Sequence, residues 1–204
     1  MGITSFIDPV PAIFLGSSEV SVKEMVGAFS IYANKGVYNA PMMVTKIEDK
    51  YGNVLANFYP ESREVITENT AFLMANLLQG VVDEGTGRRL RFRYGFKNQI
   101  GGKTGTTQNH SDGWFIGITP DLAGGVWVGA EDRSIHFQNL ANGQGASMAL
   151  PIWALFMQKV YADKSLAVPQ SDFQKPNGVN HVLDCGDADR EGMTDYDSSD
   201  EIFD

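Results

Sequence analysis

Three short strand candidates limit what this chain can fold into. Gln99–Thr107, Trp114–Thr119 and Leu122–Ala130 follow one another so closely that no helix fits between them. Parallel neighbours need a crossover of about a dozen residues or more, so the runs predict an antiparallel sheet. Pro120-Asp121 supplies a tight turn between the second and third. Leu122–Ala130 (L-A-G-G-V-W-V-G-A) is apolar on both faces, which predicts a central strand.

The flanking segments have helical periodicity. Ser147–Tyr161 predicts a long apolar helix with Pro151 near its first turn, where a missing N–H is tolerated. Upstream, Ser21 or Ser18 caps a helix that carries Val22, Met25, Val26, Phe29 and Tyr32 and stops at Asn34-Lys35-Gly36. Met42–Glu48 and Val54–Tyr59 flank Gly52 as a hairpin. Thr67-x-x-Thr70 opens a second, mostly buried helix that Gly85 and Gly87 close. Helix, hairpin, helix, three strands and helix place the chain in the α/β (α+β) class, with a mostly antiparallel sheet flanked by helices.

Composition excludes several function classes. The only cysteine is Cys185, so no intramolecular disulfide or Cys-rich zinc site can form. His110, His136 and His181 lack metal-binding spacing, and neither a metal nor another cofactor is expected. The apolar stretch Ala146–Met157 is shorter than the ~20 residues of a membrane span, and Met1 does not open a signal peptide. Of the formal charge of −9, nine acids and one base (Arg190) between His181 and Asp204 contribute −8. The remainder is nearly neutral, without the basic field a nucleic-acid partner needs. The acidic segment reads as a disordered interaction tail or a solvated terminus, with Pro169–Asn180 as the linker into it.

The chemistry concentrates in Gly101-Gly102-Lys103-Thr104-Gly105-Thr106-Thr107. On a strand, Lys103 and Gly105 share one face, and Thr104 and Thr106 the other. A phosphate loop is excluded, because position 97 holds lysine instead of the first glycine and a strand follows instead of a helix. Two readings remain: a strand end that happens to be rich in Gly and Thr, or a cation beside a peptide-binding edge strand. K-T-G is one of three signatures of penicillin-recognising serine acyltransferases, with S-x-x-K and S-x-N. The surrounding blocks L-G-S-S-E-V-S-V-K-E-M (15–25), A-N-K-G-V (33–37), L-L-Q-G-V-V-D-E-G-T-G (77–87), D-G-W-F-I-G-I-T-P-D-L (112–122), G-V-W-V-G (125–129) and A-L-P-I-W-A-L-F-M (149–157) stand in the same order and with similar spacing. The chain over about 1–160 thus resembles the C-terminal part of the transpeptidase domain of class A (bifunctional) penicillin-binding proteins.

That resemblance implies a transpeptidase or serine β-lactamase-like fold, here incomplete, and a peptidoglycan DD-transpeptidase as the parent. Lys103 would organise protons and bind the substrate carboxylate. Thr104, Gly105, Thr106 and Thr107 would line the same site, and the Thr106 backbone N–H would be an oxyanion-hole donor. Peptidoglycan stem peptides and β-lactams would be the partners, on the extracytoplasmic side of the membrane. The membrane anchor and a glycosyltransferase domain would lie upstream. Residues 1–165 would be the transpeptidase portion, and 166–204 linker and tail.

One departure is severe. No serine has lysine three residues later or asparagine two residues later, so the nucleophile's S-x-x-K and the S-x-N are both missing. The chain alone is therefore expected to be inactive and, with part of its sheet uncovered, poorly soluble or oligomeric. A non-catalytic peptide-binding or scaffold module with the same sheet is the alternative. Ser147 only loosely mimics a nucleophile elbow. His110, just past the motif, is either a loop residue or substrate-facing. Trp114, beside Asp112 at the next strand's start, is expected to pack the core, with substrate binding as the alternative. Arg88 and Arg89 read as a solvated turn, as a pair satisfying the last carbonyls of the helix, or as a pair facing a carboxylate elsewhere.

Overall fold

The computed structural model describes residues 1–179, so Cys185 and the acidic tail lie outside the described residues. Helix α1, Val22–Ala33, starts at a reciprocal capping box. Ser21 Oγ accepts from the Glu24 N–H at 3.2 Å, and the Glu24 carboxylate accepts from the Ser21 N–H at 3.0 Å. The same carboxylate accepts the Thr4 and Ser5 N–H groups, each at 2.8 Å, and so holds the preceding segment against the helix. The helix ends as its sequence predicts. Gly36 has φ +91°, and a Cβ there would lie 2.0 Å from the Ile66 carbonyl oxygen.

A long two-stranded ribbon follows. β1 (Val37–Asn39) pairs with β4 (Ser62–Glu64), and β2 (Lys46–Glu48) pairs with β3 (Val54–Asn57), both antiparallel. Bonds from the Ala40 N–H to the Glu61 carbonyl and from the Phe58 N–H to the Thr45 carbonyl, both 2.9 Å, bridge the two ladders. The predicted hairpin is therefore real but shorter than read, and β1 and β4 extend it.

Helix α2, Glu68–Asp83, is capped by the Thr67 hydroxyl. It buries Ala71, Ala75, Leu78 and Val82, a stripe at helical spacing, while Leu77 is 52% exposed. The helix is thus buried along one face, where the sequence suggested burial nearly all round. A short helix α3, Arg89–Phe92, leads toward the sheet.

The predicted sheet is present. β5 (Gly101–Thr106), β6 (Asp112–Ile118) and β7 (Ala123–Gly129) lie in the order β5-β6-β7, antiparallel throughout. The central strand is β6, and β7 is at the edge, contrary to the reading of Leu122–Ala130 as central. Strand β7 is apolar on both faces because α1 and a C-terminal helix contact it from opposite sides. Gly125 faces Val22 and Val26 of α1, whereas Val126 and Val128 join the opposite core.

That core is organised by α5, Gly145–Ala162, which follows the short α4, Leu140–Gly143. Pro151 sits in its second turn instead of the first. Trp153 meets Phe115 of β6 edge-on, with ring centroids 5.4 Å apart, among Leu90, Phe96, Ile100, Leu150 and Met157. Glycine is required opposite it: a Cβ at Gly117 would lie 2.5 Å from the Trp153 ring. Past α5, residues 163–179 run back along the body. The Phe173 N–H donates to Gln99 Oε1 at 2.8 Å, its ring packs near Phe29 and Tyr32, and Val179 is 4% exposed. The stretch read as a linker is therefore anchored. Among the described residues no helix is long and apolar enough to cross a membrane.

The Lys103 strand as candidate functional site

Strand β5 is an edge strand of the three-stranded sheet, and register fixes what each residue faces. Lys103 is opposite Ile116 and Gly105 is opposite Trp114. Gly101, on the same face as these two, approaches Ala75 and Leu78 of α2. Gly102 approaches Phe115, so Gly102, Thr104 and Thr106 lie on the α5 face. The alternation predicted for Lys103/Gly105 and Thr104/Thr106 holds.

Lys103 is exposed, and its Nζ donates to the carbonyl of Thr104 at 2.7 Å. An ammonium has three donor hydrogens, so this bond leaves capacity for an incoming carboxylate. Lys103 stands on open surface. Two hollows, of about 230 and 350 Å³, lie elsewhere, and neither includes it.

The threonines are held from outside the strand. Thr104 and Thr86 share a hydroxyl–hydroxyl bond of 2.7 Å. Thr106 Oγ1 accepts the Gly145 N–H at 3.0 Å, joining the strand's end to the start of α5. A Cβ at Gly145 would lie 2.3 Å from the Gly105 carbonyl oxygen and 2.4 Å from that of Trp114. The helix therefore reaches the sheet only because position 145 is glycine. Thr107 Oγ1 accepts the Asp112 N–H at 3.1 Å and pairs with Ser111 Oγ at 3.1 Å, closing the loop to β6.

Three other candidates are structural. Arg89 Nη1 donates to the Ala146 carbonyl at 2.9 Å and to Ser147 Oγ at 2.8 Å, tying α3 to α5. Its partners are a carbonyl and a hydroxyl of α5, not the last carbonyls of α2, a carboxylate or open solvent, the three readings its sequence allowed, whereas Arg88 is exposed. Ser147 Oγ in turn donates to the Ala141 carbonyl at 2.6 Å, so its proton is engaged, and among the described residues it has no base partner. His110 has φ +56°, and its Cβ would be 2.4 Å from a Cβ added at Gly143, so it is wedged under α4. Trp114 is half-buried opposite Trp127, on the Lys103 face, rather than in the core. Among the described residues no three His, Cys, Asp or Glu side chains gather to hold a metal ion.

Sequence reasoning did not find Thr86, Gly145 or the Arg89 anchor. The sole signal was the pair Gly143 and Gly145 before an otherwise strong helix. Glycines at a helix start are costly unless something must approach the backbone.

Comparison with known proteins places this arrangement. Residues 13–145 match the family described as the penicillin binding protein transpeptidase domain. Penicillin-binding protein 1A of Aquifex aeolicus is 33% identical over 170 residues, 83% of this chain and 22% of that protein. The crystal structure of penicillin-binding protein 1A from Haemophilus influenzae superposes with a TM-score of 0.71 at 25% identity, covering 81% of this chain and 29% of that one. PonA1 of Mycobacterium tuberculosis in complex with penicillin V shares the fold, with a TM-score of 0.67 at 23% identity over 86% of this chain and 49% of that one. The chain spans about a fifth of the length of the curated relatives it matches. Lys103 and its threonines lie inside the matched region, on an edge strand pinned between α2 and α5. The chain belongs to the penicillin-binding protein transpeptidase domain family.

Proposed function

We propose that this chain supplies the K-T-G wall of a peptidoglycan DD-transpeptidase that works on the extracytoplasmic side of the membrane. The observation that carries the reading is the exposed Lys103 ammonium on an edge strand whose threonines are fixed by Thr86 and Gly145. A stem peptide's terminal carboxylate docks on Lys103, while the Thr104 and Thr106 hydroxyls fix the strand from its opposite face and Thr107 closes its end. Its backbone lies along β5, and Gly105 removes the side chain that would obstruct it. The Thr106 N–H faces the scissile carbonyl as one oxyanion donor, a contribution of about 3 kcal/mol to the transition state.

In the complete reaction a serine Oγ attacks the carbonyl between the two terminal D-alanines. Its proton passes to the leaving amine, and D-alanine departs. The amine of a second stem peptide then attacks the ester, regenerating the hydroxyl and forming the cross-link. That serine is not among the 204 residues here, because no S-x-x-K occurs. β-Lactams carry the same carboxylate and dock on the same wall.

The test compares N-acetylated D-Ala-D-Ala with its C-terminal amide by equilibrium binding, alongside intact mass after incubation with benzylpenicillin. The expected result is weak binding of the acid, weaker binding of the amide by about tenfold, and no covalent adduct. Equal binding of acid and amide overturns the docking role of Lys103. A one-to-one penicillin adduct overturns the assignment of the nucleophile to a residue outside this chain.

A further inference from the structure

The smaller of the two hollows lies apart from the Lys103 strand and shares no residue with it. It opens between the end of α1, the start of α2, the β6–β7 turn and the returning segment 171–174, with a volume of about 230 Å³. Tyr32, Phe72 and Phe173 form its half-buried aromatic walls. Asp121 and Asp172 stand exposed at its rim. Lys35 is there too, but its Nζ is 3.1 Å from Glu68 Oε1, so those two charges compensate each other. Neither Asp121 nor Asp172 forms an ion pair among the described residues. Among the described residues the Asp121 carboxylate has only a long bond, 3.5 Å, from Ser171 Oγ.

We propose that this hollow binds an organic cation of the alkylammonium type. Ring faces carry a negative quadrupole and attract a cation, and two uncompensated carboxylates add net charge of the same sign. An anion meets repulsion from both. A neutral apolar guest displaces water from the carboxylates without replacing its hydrogen bonds. An alkylammonium satisfies both surfaces, with its methylene stem along Tyr32, Phe72 and Phe173 and its head at Asp121 and Asp172. At ~30 Å³ per water-sized group the hollow holds about seven heavy atoms, enough for n-pentylammonium or the side chain of lysine.

The wall that completes the hollow is fixed. The Phe173 N–H donates to Gln99 Oε1, and the ring joins the cluster around Ile118 and Leu78. The site is therefore preformed, which lowers the ordering cost of binding.

Ligand-observed NMR on the full chain, with n-pentylammonium, n-pentanol and pentanoate as probes, tests this. The expected result is saturable binding of n-pentylammonium, weakened about tenfold for pentanol and absent for pentanoate. Asp121→Asn/Asp172→Asn removes the preference for the cation with an unchanged melting temperature. Competition by N-acetyl-lysine amide assigns the site to a lysine side chain of a peptide, and its failure to compete assigns a free small amine. Equal binding of pentanol and pentylammonium, binding of pentanoate, or an unchanged preference in the folded double variant overturns the proposal. None of these results bears on Lys103.

Discussion

The sheet β5–β7 with α5 and the ribbon of residues 37–64 are both antiparallel β structure, yet they are stabilised differently. In the sheet, β6 is buried along most of its length, and Trp153 fills the space that Gly117 and Gly124 leave open. In the ribbon, β2 is exposed throughout and β3 nearly so. Met43 is 92% exposed, Leu55 66% and Tyr59 82%. The ribbon meets α1 chiefly through β1. The difference separates the part of the chain that carries the Lys103 strand from the part that offers surface. Lys103 and the threonines sit on the rigid part, where a site keeps its geometry.

The largest effect that would sharpen this contrast is expected at Trp153. Trp153→Ala empties the centre of the sheet–helix core and costs about 3–5 kcal/mol, read by denaturant titration. A loss under about 1 kcal/mol would put the ribbon and the sheet on an equal footing. Gly145→Ala comes next. Its methyl meets backbone oxygens, which cannot rotate away, so α5 must shift from β5 at a cost of about 1–3 kcal/mol. The Thr106 amide resonance moves with it, whereas a silent Thr106 would show that the Gly145–Thr106 bond does not hold the strand.

Acid provides a subtler probe. Hydrogen bonds from Ser21, Ser5 and Thr4 hold the Glu24 carboxyl well below its usual value of 4.5. A depressed carboxyl contributes stability that is present above that usual value and is lost as pH falls from there toward the lower folded value. Amide exchange at Thr4 and Ser5 is expected to quicken below about pH 4 while β6 stays protected. Uniform exchange across the chain would contradict a local latch. The smallest effect belongs to the ribbon. Leu55→Ser is expected to change stability by no more than about 0.5 kcal/mol while lowering aggregation in light scattering, since it breaks an exposed apolar edge.

What could be read from the sequence follows the same division. The three strands, a serine cap at the start of α1 and the α5 helix were legible, because local signals and burial agree there. β7 was misplaced because an apolar strand reads the same whether neighbouring strands or two covering helices hide it. β1 and β4 escaped notice because V-Y-N and S-R-E are too short to show alternation. The K-T-G motif was plain, and its two faces followed from strand geometry. Its supports were not. A hydroxyl bond from Thr86 and an amide bond from Gly145 join residues 18 and 39 positions away. No local pattern records such a meeting. The segment after α5 looked like a linker because its composition is polar, yet Phe173 and Val179 alone suffice to anchor it.

The central claim is that Lys103 is the cation on which a peptide carboxylate docks. The most direct test is an NMR titration of the isotopically labelled chain with N-acetyl-D-Ala-D-Ala, repeated on Lys103→Ala. The account predicts shift changes confined to residues 101–107 and their β6 partners, and their loss in the variant. Shift changes centred elsewhere, or an identical titration after Lys103 is removed, would contradict it.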